Sequence, residues 1–156
     1  MNIIRTKWVF KIKRDGKGIV TRYKVRLVVK GFQQEYGIDY HETFAAVAKY
    51  KSIRILLVLS VINGYDIEQL DVKTAFLYAD VTEDIYIELP DGLSYGNKNT
   101  QVLKLIKALY GLKQAPREWH THIHNTLTSM GFKPCIKDTC IYTKLSKKYI
   151  NICFIL

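Results

Sequence analysis

Two runs of alternating side chains, either side of Asp15-Gly16-Lys17-Gly18, restrict the fold more than any other feature of this chain. In the first run Trp8, Phe10 and Ile12 fall on one side, and Lys7, Lys11 and Lys13 on the other. In the second, Tyr23, Val25, Leu27 and Val29 oppose Lys24, Arg26, Val28 and Lys30. A period of two belongs to a strand, and Asp-Gly between two such runs is a hairpin signal. The chain therefore opens with a β-hairpin that has one cation-studded face and stops at Gly31.

That cationic face belongs to a wider pattern. Residues 1–30 hold ten Lys and Arg against one acid, residues 31–100 five against eleven, and residues 101–156 nine against two. Two basic blocks flank an acidic middle. This suits ends that grip a polyanion around carboxylates that hold cations, and it equally suits a basic solvated surface. With 156 residues and 48% apolar content the chain is long enough for one domain with a core. Its longest apolar run, residues 53–62, is broken by Arg54 and Ser60 and is too short to cross a bilayer. No membrane partner is expected. Cys135, Cys140 and Cys153 are an odd set without zinc-finger spacing and read as free thiols in a reducing, intracellular setting.

Ser52 is suited to cap a helix that stops at Asn63-Gly64. That segment is apolar nearly all round, which predicts an interior position. Short strands are expected over 65–71, 84–89 and 101–105, with a polar loop over 91–100. A helix follows from Pro116, where Trp119, Ile123, Leu127 and Met130 keep helical spacing before Gly131. Two further strands are expected at 140–143 and 149–156. The last is an unpaired apolar edge that reads as a truncated sheet and predicts marginal stability. The order predicts an α+β fold, a mostly antiparallel sheet with packed helices.

Two segments carry candidate chemistry. In Leu70-Asp71-Val72-Lys73-Thr74-Ala75-Phe76 an acid ends an apolar run and small residues follow. Such a carboxylate can face a metal-bound phosphate, although an Asp at a strand end is more often a turn or cap residue. In Leu109-Tyr110-Gly111-Leu112-Lys113-Gln114-Ala115-Pro116-Arg117-Glu118-Trp119 a glycine permits close backbone approach and cations bracket a helix start. Its plainer reading is a loop before a Pro-started helix. His120, His122 and His124 suggest a metal, but only His120 and His124 share a helix face, so a solvated face is preferred.

Together with Lys7-Trp8-Val9-Phe10-Lys11-Ile12-Lys13, residues 23–31 and residues 37–44, these segments make the chain resemble the reverse transcriptases of copia-type retrotransposons along nearly its whole length. Asp138 to Tyr142 resembles a later Asp-x-x-x-Tyr element of that family. The resemblance implies an RNA-directed DNA polymerase fold, with fingers over about 1–63 and an incomplete palm with fingers return over about 64–156. It implies that Asp71, with the Val72 carbonyl, is the first catalytic ligand for Mg2+. Thr74 and Ala75 would offer backbone N–H groups to an incoming deoxynucleoside triphosphate. Phe76 would be the gate that excludes a 2′-hydroxyl, and Lys13, Arg14 and Arg26 would clamp the phosphates. Gly111, Gln114, Ala115 and Pro116 would meet the template and nascent base pair.

RNA template and DNA primer are the implied partners, beside integrase and ribonuclease H domains of a polyprotein copied in the cytoplasm. Tyr78-Ala79-Asp80 departs from the family's glycine-containing turn, and Ala45-Ala46-Val47-Ala48 from its Ser-Pro-Val-Val. The family's Tyr-Val-Asp-Asp hairpin is absent, so the expectation is a fragment inactive alone. The other expectation is a degenerate remnant that at most binds nucleic acid non-specifically.

Overall fold

A computed structural model describes residues 1–93, 96, 100–146 and 149–155. Part of the polar loop expected over 91–100 and the last residue of the expected final strand lie outside them. The chain forms two compact units by interleaving: residues 1–44 and 74–119 make the first, and residues 45–73 and 120–156 the second. The cuts between them fall at 44/45, 73/74 and 119/120.

In the first unit, β1 (Ile3–Ile4) lies parallel to β4 (Tyr86–Glu88), which pairs antiparallel with β5 (Val102–Lys104). The hairpin β2 (Thr6–Arg14) and β3 (Val20–Val29) forms a separate antiparallel ribbon. Its turn is held by Asp15, whose carboxylate accepts the backbone N–H groups of Lys17 and Ile19, each at 2.9 Å. Gly18, with φ 81°, supplies the left-handed step. Register pairs Lys13 with Arg22, Lys11 with Lys24, and Val9 with Arg26, so the expected cationic face is present. The opposite face is not covered: Phe10 and Tyr23 are each 73% exposed. The ribbon stands out from the core and is not a wall of it.

That core gathers Ile4, Val29, Ala79, Ile85, Ile87, Ala108, Leu112 and Ala115. Ala79 is fully buried, and its carbonyl accepts the Ala108 N–H at 2.9 Å. Its φ of −80° is ordinary, so the turn at Tyr78-Ala79-Asp80 needs no glycine. The departure from the family pattern therefore costs no strain there.

In the second unit α1 (Tyr50–Asn63) ends as expected on Gly64 in the left-handed region, φ 64°. Its start differs. Lys49 holds the N-cap position without a side-chain cap, and the cap comes from a distant residue. Asp138 accepts the Lys49 N–H at 3.3 Å and a hydrogen bond from the Ser52 side chain, which hold its carboxyl below the ordinary range. The expected interior position of α1 is corrected too. None of its residues is buried: Ile53 and Leu56 are half-buried, and Val61 is 81% exposed. The strand expected over 65–71 is absent: those residues have no regular structure.

A three-stranded antiparallel sheet completes this unit: β6 (Lys133–Pro134), β7 (Ile141–Leu145) and β8 (Ile150–Phe154), with β7 central. The final strand is thus paired on one side and forms the sheet's edge, with Ile150 and Ile152 exposed. The remaining helix, α2 (Ala115–Ser129), gives its first turn to the first unit and the rest to the second. No helix of the described residues is long and apolar enough to cross a membrane.

Candidate nucleotide site

The glycine-rich string starts where the hairpin ends. The backbone N–H of Val29, the last residue of β3, donates to the Tyr110 carbonyl at 2.8 Å. Gly111 follows with φ 97°, and a β-carbon there would collide with the Val29 carbonyl oxygen. A side chain is excluded twice over, by backbone conformation and by space. Leu112 and Ala115 then enter the core.

Tyr110 becomes the meeting point of this region. Its ring lies 5.0 Å from that of Phe76 in an edge-to-face arrangement. The Arg26 guanidinium sits 5.2 Å above the same ring. Positions 26, 76 and 110 thus converge within the first unit. Phe76 belongs to a short 3-10 turn, Ala75–Tyr78. Thr74, which precedes that turn, has φ 54°, the one positive φ of a non-glycine residue among those described. A β-branched residue pays for that conformation, and such outliers concentrate where backbone has to be aimed.

Other predicted residues are placed differently. Lys13 and Arg14 sit near the hairpin tip, where the Arg14 guanidinium donates to the Gly18 carbonyl at 2.9 Å. Lys13 pairs with Arg22, four residues before Arg26, which is roughly 13 Å along the strand at ~3.3 Å per residue. They share the cationic face with Arg26 or its end, but not the contact with Tyr110. Asp71 and Val72 are exposed, lie in a stretch without regular structure, and belong to the second unit, whereas Thr74, Ala75 and Phe76 belong to the first.

Within the string, Gly111 and Pro116 are exposed, while Gln114 and Ala115 are 0% and 1% exposed. The side chains of Gln114 and Ala115 therefore have no surface to offer a template. The Gln114 amide donates to the Asp39 carbonyl at 2.8 Å and to Glu83 Oε2 at 3.2 Å, and accepts from Gln34 Nε2 at 2.9 Å. Gln34, Asp39 and Tyr110 have no assigned role in the sequence reading. Tyr110 could have been noticed inside the glycine string, whereas nothing local marks Gln34 or Asp39.

A polar recess of about 370 Å³ in the first unit is lined by Ile38, His41, Glu42, Thr82, Glu83, Asp84 and Arg117. None of the predicted nucleotide or metal residues lines it. In the second unit His124 Nδ1 lies 3.0 Å from the hydroxyl of fully buried Tyr142. Burial, with His124 nearby, lowers the His120 pKa. Among the described residues no group of three or more His, Cys, Asp or Glu is placed to hold a metal ion.

The profile of the family described as reverse transcriptase (RNA-dependent DNA polymerase) matches residues 1–155. The chain is 48% identical over 141 residues to the retrovirus-related Pol polyprotein from transposon TNT 1-94 of Nicotiana tabacum, covering 90% of this chain and 11% of that one. It is 44% identical over 142 residues to the Pol polyprotein from transposon RE1 of Arabidopsis thaliana, covering 91% and 10%. With the transposon Ty1-BL Gag-Pol polyprotein of Saccharomyces cerevisiae it shares 29% over 157 residues, covering 97% and 8%. The chain thus spans about a tenth of the length of these relatives. No solved structure matches it.

Proposed function

Because this chain belongs to the reverse transcriptase (RNA-dependent DNA polymerase) family, we propose that it forms the nucleotide-facing part of an RNA-directed DNA polymerase within a transposon Pol polyprotein. The observation that carries this reading is the convergence of Arg26, Phe76 and Tyr110 from three distant parts of the chain. In this reading the Phe76 ring packs beneath the sugar of a deoxynucleoside triphosphate and collides with a 2′-hydroxyl. The Arg26 guanidinium pairs with phosphate oxygens. Lys13 and Arg14 extend the cationic face from the tip, and the backbone of Thr74 and Ala75 faces the triphosphate. Gly111 and Pro116 meet the template and nascent pair, and Gln114 and Ala115 support them from behind.

Residues 1–63 act as fingers and the rest as palm with a fingers return. RNA template and DNA primer are the partners, with integrase and ribonuclease H domains in the same polyprotein and copying in the cytoplasm.

Asp71 and the Val72 carbonyl fit one corner of a Mg2+ site and no more, since no metal-holding group of carboxylates occurs among the described residues. The 156 residues also contain no two adjacent aspartates. Nucleotidyl transfer by two metals needs such a cage, so this chain by itself binds nucleotide without polymerising it. The test is equilibrium binding of dCTP and CTP to the whole chain. A preference for dCTP that disappears in Phe76→Ala supports the gate; equal binding of both nucleotides by the unmodified chain, or no binding, sinks it. A second reading, a remnant that only binds nucleic acid, is favoured by the cationic hairpin face alone.

A further inference from the structure

Gln114 is a polar side chain with no exposed surface whose every hydrogen-bonding group has a partner. Its two amide hydrogens point at the Asp39 carbonyl and the Glu83 carboxylate, and its oxygen takes Gln34 Nε2. Gln34 Oε1 in turn accepts the Lys113 backbone N–H at 2.7 Å. The two carboxamides therefore close a ring that fixes residues 113 and 114 against residue 34, just beyond the hairpin. Three and four residues earlier, the same loop carries Gly111 against Val29 and Tyr110 against Phe76 and Arg26.

The geometry points to Gln114 as a positioning residue for the nucleotide site: its amide sets the place of residues 110–113, and through Tyr110 the place of the Phe76 ring. It touches neither template nor nucleotide. The functional weight of this inference rests on the proposed reading of Phe76 as the sugar gate.

Gln114→Glu keeps the size of the side chain but turns its two donors into an anionic acceptor. At neutral pH that acceptor faces the Asp39 carbonyl and the Glu83 carboxylate, and both contacts become repulsive. On acidification one proton shared between positions 83 and 114 restores a donor. The other charged or titratable groups around the loop and Glu83 are Lys113, the Asp39 carboxylate held by Asn2 and the Glu35 N–H, the Arg117–Glu118 pair, and His41, Glu42 and Asp84, which line the same recess as Glu83. They are unchanged by the substitution, so the parent chain measures their contribution.

The experiment places 4-fluorophenylalanine at position 76 of the whole chain and follows its fluorine resonance between pH 5 and 7.5. Tyr110→Ala marks the position reached when the ring contact is lost. The parent resonance should hold steady. In Q114E it should move at pH 7.5 toward the Tyr110→Ala position and return by pH 5. The double variant E83Q/Q114E, in which a new amide at 83 can donate to the new carboxylate at 114, should return toward the parent at pH 7.5. A Q114E resonance like the parent's at pH 7.5, or one displaced equally at both pH values, overturns the inference. If Q114E unfolds at pH 7.5, the double variant decides: a parent-like position supports the role and a displaced one refutes it. Nucleotide preference in Phe76→Ala is measured separately, so failure of the gate and failure of the positioning role give different results.

Discussion

A β-carbon on Gly31 would collide with the carbonyl oxygen of Gly111, so the backbone beyond the hairpin and the backbone of the glycine-rich string pass at a separation only two glycines allow. Gly111→Ala brings a collision of its own, with the Val29 carbonyl oxygen, and adds left-handed strain to it, since its φ is 97°. The expected loss is roughly 2–5 kcal/mol from overpacking and strain combined. Gly31→Ala should lose somewhat less. Urea unfolding of the two variants checks this; a midpoint unchanged in Gly111→Ala would contradict the close approach.

Asp138 caps a helix 89 residues away in sequence from its own position, through the Lys49 N–H, and also holds Ser52 and the Cys140 N–H. Asp138→Ala should cost about 0.5–2 kcal/mol, the range for a lost N-cap. The pH dependence has a definite sign. Its folded value lies below the ordinary 3.8, chiefly through the Ser52 hydrogen bond. The stabilisation is therefore fully present above the unfolded value and disappears as pH falls through the folded one. Acid unfolding of Asp138→Asn should lack that part of the slope. An acid profile identical to the parent's would show that the carboxylate contributes nothing.

Asp71 is exposed and outside regular structure. Asp71→Asn should therefore leave stability within about 0.5 kcal/mol of the parent. Purified as these 156 residues, neither form should extend a primer on an RNA template. Templated incorporation by the parent chain would overturn the claim that it lacks a complete metal cage.

Nucleic-acid binding should follow the cationic hairpin face. Reversing Lys11, Lys13 and Arg22 to Glu removes three phosphate partners from that face. The dependence of log affinity on log salt for single strands should then flatten by about 2 units, at ~0.7 per contact. Fluorescence anisotropy between low and moderate salt measures the slope. A slope equal to the parent's would place the binding surface elsewhere.

Local patterns were legible and distant partners were not. The hairpin could be read because alternation and Asp-Gly turns are encoded within a few residues, and α1 because Gly64 ends it. Its exposure could not be read: an all-round apolar surface says what a helix can be covered by, not that a cover is present among these residues. β1 was invisible because two residues, Ile3 and Ile4, form it only by pairing with Tyr86 and Ile87. Gln114 is a template contact only as the family resemblance implies it, and nothing in its local sequence marks it as buried. Its burial depends on Gln34, Asp39 and Glu83, which no local spacing connects to it. Tyr110 lies inside the recognised string, yet its contacts with Arg26 and Phe76 are not written in any local spacing.

The Gln34–Gln114 hydrogen bond joins residues 80 apart, and that separation sets a timetable. On a ribosome adding about 5–20 residues per second, the hairpin and Gln34 emerge roughly 4–16 s before their anchor exists. During that interval the Val29 N–H lacks the Tyr110 carbonyl and the Arg26 guanidinium lacks the Tyr110 ring, and contacts of such long separation form late in any case. The aromatic face with Phe10 and Tyr23 is exposed before and after that time; what the late arrival of Gly111 and Gln114 settles is the anchored end of the hairpin, which is the last part of the ribbon to be fixed in place.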